Sequence, residues 1–261
     1  MPETILDRIV AEKRREIDRQ FADTTLSELE KQAANGPPIR DFFAALAEPE
    51  GVSLIAEVKK ASPSAGIIRE DFDPVTIATA YAESGAACIS VLTDEPFFRG
   101  KLDYLSAVRD AVDIPVLRKD FLIDTRQLLQ ARIAGADAVL LIAECLDDCN
   151  LRKLHNEAID LGMTPLVEYY EPENRQRVLD AGATLIGVNN RNLHTFEVDI
   201  DHTLRQKELL PEECVLVAES GIHTHQQVQQ LHAAGVDAML VGESLMRQPD
   251  ISAAVVKLLR R

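Results

Sequence analysis

The sequence has few cysteines, a deficit of basic residues and no long apolar run. Its 261 residues contain four cysteines, too few for the disulfide framework of a small secreted domain. The 28 lysines and arginines are outnumbered by 43 aspartates and glutamates, which argues against a nucleic-acid partner because phosphate backbones are bound by basic surfaces. Charges interrupt every apolar stretch near the N-terminus, so no signal peptide or membrane contact is expected. We therefore expect a cytoplasmic protein.

Residues 1–50 are predicted to form a helical extension. Apolar residues recur on one stripe between Thr4 and about Gln20, and Thr4 is followed by an acidic residue three positions later, a typical helix start. A second pattern, Leu26–Ala33, ends at a Gly-Pro-Pro stop, and a short apolar stretch follows near Phe42–Leu46. A helix with one apolar stripe needs a surface on which to pack.

After the extension, short β-branched runs alternate with helical patterns, which is typical of βα units. Several runs are almost continuously apolar, as expected for a parallel sheet that is covered on both faces. The predicted strands are Val52–Val58, Ala86–Leu92, Pro115–Asp120, Ala138–Ala143, Pro165–Tyr169, Thr184–Asn189, Val215–Glu219 and Ala238–Val241.

A weak internal repeat indicates how these units are arranged. Four similar phrases, each a small residue and a glycine before a buried strand, recur at about twice the length of one βα unit. Their glycines are Gly85, Gly135, Gly182 and Gly235. Eight units predict a (βα)8 TIM barrel with an N-terminal helical extension, residues 1–261 forming one domain. The alternative, a doubly wound open sheet, would be favoured by a G-x-G-x-x-G turn after the first strand, and the sequence has none.

Polar side chains follow nearly every predicted strand. Glu57 and Lys59 end the first strand two residues apart, so they share a face. Each residue taken alone has an ordinary explanation as part of a solvated ion pair. In a barrel, however, the carboxyl ends of all strands meet at one rim, where mixed acids and bases provide proton donors and acceptors. The other polar residues at these ends are Lys119, Glu168, Asn189, Arg191, Glu219 and Ser220.

The last two βα loops have features of a phosphate site. Gly221 and Gly242 each precede a predicted helix start, where backbone N–H groups and the helix dipole favour an anion. Simple tight turns would explain the same glycines. The loop Lys60–Pro74 is long for a βα connection, and we interpret it as a lid.

The residues at seven strand ends resemble one known family. The phrases IAEVKKASPSAG, VLTDEPFFRG, PVLRKDFLID, PLVEYY, IGVNNRNL, VAESGI and LVGESLM occur in this order over nearly the whole chain. They are similar to those of the indole-3-glycerol phosphate synthase family of tryptophan biosynthesis. The resemblance implies that the substrate is 1-(2-carboxyphenylamino)-1-deoxyribulose 5-phosphate, closed to an indole with loss of carbon dioxide and water.

The resemblance also implies chemical roles. Lys119 would protonate the substrate ketone while the aromatic ring carbon attacks it. Lys59 would hold the substrate carboxylate, Glu168 would serve in the dehydration, and Glu57 would position the amine and the lysines. Whether Glu168 or Glu57 handles the dehydration proton stays open. The residues expected to orient these groups and the sugar hydroxyls are Asn189, Glu219 and Ser220.

Substrate-binding roles follow from the same resemblance. Arg191 would steady the anthranilate side of the pocket. Ser62, Gly221, Gly242 and the backbone N–H of Glu243 would line the phosphate site. Some family members carry a small hydroxyl residue where this chain has Glu243, so we expect its carboxylate to turn away from the phosphate.

A lysine is an effective acid when its pKa is drawn towards neutrality. Arg118 and Lys59 could lower the pKa of Lys119, Glu57 would oppose that shift, and the sequence does not rank these effects. No metal or organic cofactor is expected, because the cyclised cationic imine can itself accept the electrons released with carbon dioxide. Cys145 and Cys149 lack further metal-ligand partners in the sequence.

Other functions remain possible on the same barrel. A lysine on a strand can also attack a carbonyl, as in a phosphosugar isomerase or a Schiff-base aldolase. A catalytically inactive barrel that binds a phosphate ligand is the alternative from a different class. The acidic surface without an evident exposed apolar run favours a monomer.

Overall fold

Eight parallel strands close into a barrel in the computed structural model, which describes residues 4–48, 50–192 and 195–260. Each strand pairs with the next, and the eighth pairs with the first through Ser53 opposite Ala238. The predicted TIM barrel is confirmed, and the open doubly wound sheet is wrong. The strands are β1 (Ser53–Val58), β2 (Cys88–Leu92), β3 (Val116–Lys119), β4 (Ala138–Ile142), β5 (Thr164–Tyr169), β6 (Leu185–Asn189), β7 (Val215–Glu219) and β8 (Ala238–Val241).

Helices surround the barrel and precede it. A short antiparallel pair, Ala61–Ser62 with Gly66–Ile67, lies in the loop after β1. A 3₁₀ turn, Ala143–Cys145, follows β4. The helices before β1 are α1 (Ile5–Gln20), α2 (Leu26–Ala33) and α3 (Phe42–Ala47). The later helices are α4 (Pro74–Glu83), α5 (Glu95–Phe98), α6 (Leu102–Ala111), α7 (Thr125–Ile133), α8 (Asp148–Asp160), α9 (Asn174–Asp180), α10 (Asp201–Lys207), α11 (His225–Ala233), α12 (Glu243–Met246) and α13 (Ile251–Leu259). Among the helices described here, none is long and apolar enough to cross a membrane.

The helical extension contacts both ends of the barrel. Helix α3 packs Phe42 and Leu46, both buried, into the same apolar cluster as inward-facing strand residues such as Ile55. It therefore closes the end at which β1 begins, where Ser53 Oγ donates to the Leu46 carbonyl at 3.3 Å. Helix α1 begins at Thr4 with a capping box and lies at the opposite end, the mouth of the barrel.

One buried ion cluster fixes α1 to the mouth. Lys13 of α1 is only 2% exposed. Its Nζ lies 3.1 Å from Asp94, after β2, and 2.9 Å from Asp120, after β3. Burial opposes the charge, but the two aspartates outweigh it and raise the pKa of Lys13. Because a buried charge is tolerated only when it is paired, this contact fixes where α1 lies.

The repeat seen in the sequence corresponds to a repeated connection between a helix and the strand that follows it. The four repeat glycines have positive φ and end the helices that lead into even-numbered strands. Asp137 and Asp237 occupy the same place in the repeat, directly before β4 and β8. Asp137 accepts the N–H groups of Val116 and Arg40, both at 2.8 Å. Asp237 accepts the N–H group of Leu216 at 2.8 Å and lies 3.5 Å from Lys207 Nζ.

We expect Asp137→Ala to destabilise the protein more than Asp237→Ala. Asp137 is fully buried and its loss leaves two backbone N–H groups unsatisfied, whereas the Asp237 side chain is 35% exposed. The free energy of unfolding should fall by about 2–4 kcal/mol for Asp137→Ala and by about 1 kcal/mol for Asp237→Ala. Urea denaturation of both variants measures the difference. Equal losses would contradict this account of the repeat.

Candidate active site

The strand ends bring all the sequence-predicted site residues to one cavity of about 190 Å³ at the barrel mouth. Side chains alternate between the inside and the outside of the barrel, so the inward-facing polar ends converge. Their individual roles remain predictions. The predicted residues that line the cavity are Glu57, Lys59, Ser62, Lys119, Glu168, Asn189, Arg191, Glu219, Ser220, Gly221, Gly242 and Glu243.

Lys119 is the centre of the charged group in this cavity. Its Nζ lies 2.6 Å from Glu219 Oε2 and 3.2 Å from Glu168 Oε2. Glu168 Oε1 accepts from Asn189 Nδ2 at 3.1 Å, so Asn189 orients the carboxylate that faces Lys119. Nearby, Lys59 Nζ lies 2.5 Å from Glu57 Oε2. The lysines and carboxylates thus form adjoining ion pairs in which the carboxylates are buried and the lysines are partly buried.

Two glycines make room for the buried carboxylates. A Cβ at Gly187 would overlap with Glu219 Oε1, and a Cβ at Gly242 would overlap with Glu57 Oε2. Both atoms would be far closer than a van der Waals contact, so any side chain there would displace a carboxylate. Gly242 therefore shapes the charged group as well as preceding α12. Gly187 had no sequence signal beyond its place in a strand.

The charges of the group shift its protonation equilibria. Burial lowers the pKa of Lys119, but the carboxylates of Glu219, Glu168 and Glu57 outweigh burial and hold this pKa above its ordinary value. Burial and the neighbouring Glu168 raise the pKa of Glu219 to about 8, against the influence of Lys119. Both shifts favour the protonated forms of Lys119 and Glu219 near neutral pH.

Of the effects that the sequence left unranked, the opposing one prevails, because Glu57 and two further carboxylates hold the pKa of Lys119 above its ordinary value. Arg118 follows the alternation and turns to the outside of the barrel, where it donates to Asp120, Thr93 and the carbonyl of Gln127. Lys59 is paired with Glu57, whose pKa it lowers against the effect of burial. The neighbouring carboxylates, rather than other cations, therefore determine the pKa of Lys119.

The loops after β7 and β8 form the proposed phosphate end of the cavity. Gly221 has φ +80° and the preceding Ser220 has φ +68°. Ser244 Oγ donates to the carbonyl of Ile222 at 2.9 Å, which ties the two loops together. Glu243 accepts from Arg247 Nη2 at 2.8 Å and lies 3.8 Å from Arg191 Nη2. These pairings fit a carboxylate that is not used for phosphate.

The long loop after β1 reaches the same end. Ser62 Oγ accepts from Ala65 N at 3.2 Å, which closes the turn of the short antiparallel pair. Arg69 Nη1 donates to the carbonyls of Met246 and Gln248 at 3.2 and 2.9 Å. The loop is therefore docked on the segment that follows β8, and its function as a lid stays a prediction.

Apolar residues complete the lining of the cavity. The sequence patterns did not predict that most of these residues line the cavity. Part of this set comes from α1. The apolar stripe of α1 was evident in the sequence, but the surface on which it packs was not. The apolar lining residues are Ile5, Leu6, Ile9, Leu92, Phe98, Phe121, Leu140, Ile142, Phe196, Ile222, Leu240 and Val241. Such a surface suits an aromatic ring.

Cys145 and Cys149 do not form part of a metal site in the residues that the structure describes. Within the ranges 4–48, 50–192 and 195–260, no group of three or more His, Cys, Asp or Glu side chains is arranged to hold a metal ion. Both cysteines are free thiols.

Sequence comparison identifies similar proteins over nearly the whole chain. A family described as Indole-3-glycerol phosphate synthase matches residues 6–258. A protein of that name from Rhodopirellula baltica is 56% identical over 98% of this chain and 99% of its own length. Another, from Crocosphaera subtropica, is 49% identical over 97% of this chain and 89% of its own.

Solved structures with low sequence identity share the fold. 3-Hexulose-6-phosphate synthase from Salmonella typhimurium has a TM-score of 0.66 at 16% identity and covers 80% of this chain and 97% of its own. Thiamine phosphate pyrophosphorylase from Pyrococcus furiosus has a TM-score of 0.61 at 17% identity, with 81% and 95% coverage. These similarities support the barrel alone.

The raised pKa of Glu219 predicts a pH-dependent stability. Between its ordinary pKa of 4.5 and about 8, the folded state holds a proton that the unfolded state has released. Stability therefore falls as pH rises through this window, by at most about 1.4 kcal/mol per pH unit for one proton. Glu219→Gln removes this contribution, so the variant should gain stability relative to the wild type from pH 5 to pH 8.

Urea denaturation at several pH values measures the effect. Glu83→Gln, on the exposed end of α4, is the control and should follow the wild type at every pH. Parallel wild-type and Glu219→Gln stability profiles would show that Glu219 is ionised in the folded state.

Proposed function

The chain belongs to the indole-3-glycerol phosphate synthase family. We propose that residues in its cavity catalyse the ring closure of 1-(2-carboxyphenylamino)-1-deoxyribulose 5-phosphate to indole-3-glycerol phosphate. Carbon dioxide and water are the other products. The observation that carries this proposal is Lys119, held between Glu168 and Glu219 in a cavity that also offers apolar residues for a ring and glycine-rich loops for a phosphate.

Lys119 acts as the acid of the ring closure. Attack of the aromatic carbon on the ketone places negative charge on the carbonyl oxygen, and a positioned proton donor removes that charge. The carboxylates around Lys119 raise its pKa, so the lysine is protonated at neutral pH but is a weaker acid than one with a lowered pKa. The proton transfer therefore depends on the position of Lys119 and on the growing basicity of the ketone oxygen as the ring closes. Its high pKa also makes Lys119 a poor nucleophile, which favours proton transfer over the Schiff-base chemistry of an aldolase.

Lys59 binds the carboxylate of the substrate, and Glu57 positions Lys59 and the substrate amine. Lys59 is 17% exposed on its side chain and paired with Glu57, so it can reach a ligand without losing its partner. Decarboxylation then passes electrons to the cationic imine of the cyclised intermediate. That electron flow requires neither metal nor organic cofactor.

Glu168 accepts and returns protons in the dehydration. Both carboxylates are paired with a lysine, Glu57 with Lys59 and Glu168 with Lys119, but Glu168 also accepts from the amide of Asn189, which orients it towards Lys119. This contact makes Glu168 the better candidate of the two carboxylates that the sequence left open. Glu219 and Ser220 orient the sugar hydroxyls and hold the charged group in place.

The two ends of the substrate are bound by different chemistry. The phosphate lies against Ser62, Gly221, Gly242 and the backbone N–H of Glu243, at the start of α12. The anthranilate ring lies against the apolar residues of α1 and of the strand ends. Arg191 would steady that ring, although its guanidinium also lies 3.8 Å from Glu243 at the phosphate end. Gly242 thus serves both the phosphate site and the space for Glu57.

We also propose a cytoplasmic monomer. The basis for the monomer is the net charge of −15, since a large net charge disfavours association. The basis for the cytoplasm is the small number of cysteines, which fits a reducing compartment. Size-exclusion chromatography with light scattering should give a mass near 28.9 kDa. A mass of twice this value would show that the chain dimerises.

The decisive experiment mixes the purified protein with the carboxyphenylamino deoxyribulose phosphate and follows indole fluorescence. The wild type should give a rise with no added metal or cofactor. Lys119→Ala should reduce the turnover rate by about 10³-fold or more, because it removes the proton donor. The same variant should still bind inorganic phosphate, since Lys119 is not part of the phosphate end.

Substantial turnover by Lys119→Ala would remove Lys119 from its role as the acid. Treatment with borohydride in the presence of substrate tests the aldolase alternative, because a stable adduct on Lys119 would require a Schiff base. Phosphate binding without any indole signal from the wild type would favour an isomerase or an inactive binding barrel.

A further inference from the structure

Ser220 has an unusual backbone conformation next to the proposed phosphate glycine. Its φ of +68° lies in the left-handed region, which residues with a Cβ avoid unless their surroundings hold them there. Ser220 follows the last residue of β7 and precedes Gly221, and both residues line the cavity. A contact that fixes Ser220 therefore also fixes Gly221.

Asn190 supplies that contact from the neighbouring strand end. Its backbone N–H donates to the Glu219 carbonyl at 2.8 Å, and its side-chain Nδ2 donates to the Ser220 carbonyl at 3.1 Å. One residue thus holds two successive carbonyls at the end of β7. Asn190 is only 1% exposed, and it is not among the residues that line the cavity.

Thr203 decides which way the amide of Asn190 faces. Asn190 Oδ1 accepts from the Thr203 N–H at 3.1 Å and from Thr203 Oγ1 at 2.7 Å. A backbone N–H is only a donor, so the oxygen of the amide must face Thr203 and the NH₂ group must face Ser220. The donor to the Ser220 carbonyl is therefore specified by the fold.

The direction of the Gly221 N–H follows from the planarity of the peptide bond. In a trans peptide, the C=O of Ser220 and the N–H of Gly221 point in opposite directions. Asn190 draws the C=O away from the cavity, so the N–H faces the cavity. Within the described part of the chain, the Gly221 N–H donates to no other group, as a donor kept for a ligand should.

We propose that Asn190 is a positioning residue for phosphate binding: it holds the Ser220–Gly221 peptide so that the Gly221 N–H faces the ligand. The inference rests on the proposed function for the identity of the anion as a substrate phosphate. Asn190 touches no substrate and acts through Gly221. Its loss should weaken binding of the phosphate and leave the proton transfers at Lys119 nearly unchanged.

The test variant is Asn190→Asp, which keeps the size and the acceptor for Thr203 but replaces the Nδ2 donor with an oxygen that repels the Ser220 carbonyl. We expect the Kd for inorganic phosphate, measured by calorimetry, to rise about tenfold, since one buried hydrogen bond is worth about that factor. In the fluorescence assay, KM should rise by a similar factor while kcat changes by less than about threefold.

Thr203→Val is the matched control. It removes the Oγ1 bond to Asn190, while the Thr203 backbone N–H still fixes the amide. Thermal denaturation of both variants shows the general loss of stability in this region. Thr203→Val should lower Tm while the phosphate Kd stays within about twofold of the wild type. If Asn190 had only a structural role, Asn190→Asp and Thr203→Val would change the phosphate Kd in proportion to their loss of Tm.

Three outcomes would overturn the proposal. They are an unchanged phosphate Kd in Asn190→Asp, equal increases in Kd for both variants, and a wild type that does not bind phosphate. Calorimetry with phosphate needs no turnover, so it is separate from the proposed reaction. If the phosphate Kd of the two variants changes as expected but the wild type gives no indole signal, the proposed reaction is rejected and the role of Asn190 in phosphate binding is retained.

Discussion

The pairing of two partly buried lysines with three buried carboxylates at the barrel mouth is the constraint on which the rest of the structure depends. Charges taken out of water are tolerated only with close partners, and here the partners come from β1, β3, β5 and β7. Separate strands can hold such distances because the closed barrel is rigid. Gly187 and Gly242 complete the arrangement by leaving the volume that Glu219 and Glu57 occupy.

The same strand end that supplies the chemistry also anchors the helical extension. Lys119 points into the barrel, whereas Arg118 and the following Asp120 form an outer ion cluster with Lys13 of α1. That cluster places the apolar residues of α1 in the wall of the cavity. The position of the apolar wall relative to Lys119 is therefore set by charges that take no part in the reaction.

Local patterns in the sequence were sufficient for the barrel, because strand periodicity and helix caps depend on near neighbours. Thr4 begins α1 for the same reason. These local patterns were not sufficient to predict where α1 packs, because its position depends on the buried ion pairs of Lys13 with Asp94 and Asp120, which are distant in sequence. The orientation of Arg118 was missed because one step along a strand reverses the face. The pKa of Lys119 depends on distances to carboxylates on other strands, and no sequence spacing contains them.

The raised pKa of Glu219 reduces the negative charge at the strand ends. Glu57, Glu168 and Glu219 are three carboxyl groups that face two lysines in a poorly solvated cavity. Because burial and Glu168 raise the pKa of Glu219 to about 8, this carboxyl group adds less negative charge near pH 7 than a solvated glutamate. The proposed substrate, with its carboxylate and its phosphate, would therefore meet less repulsion. Lys119 keeps its proton when Glu219 is protonated, since Glu168 and Glu57 still stabilise the ammonium.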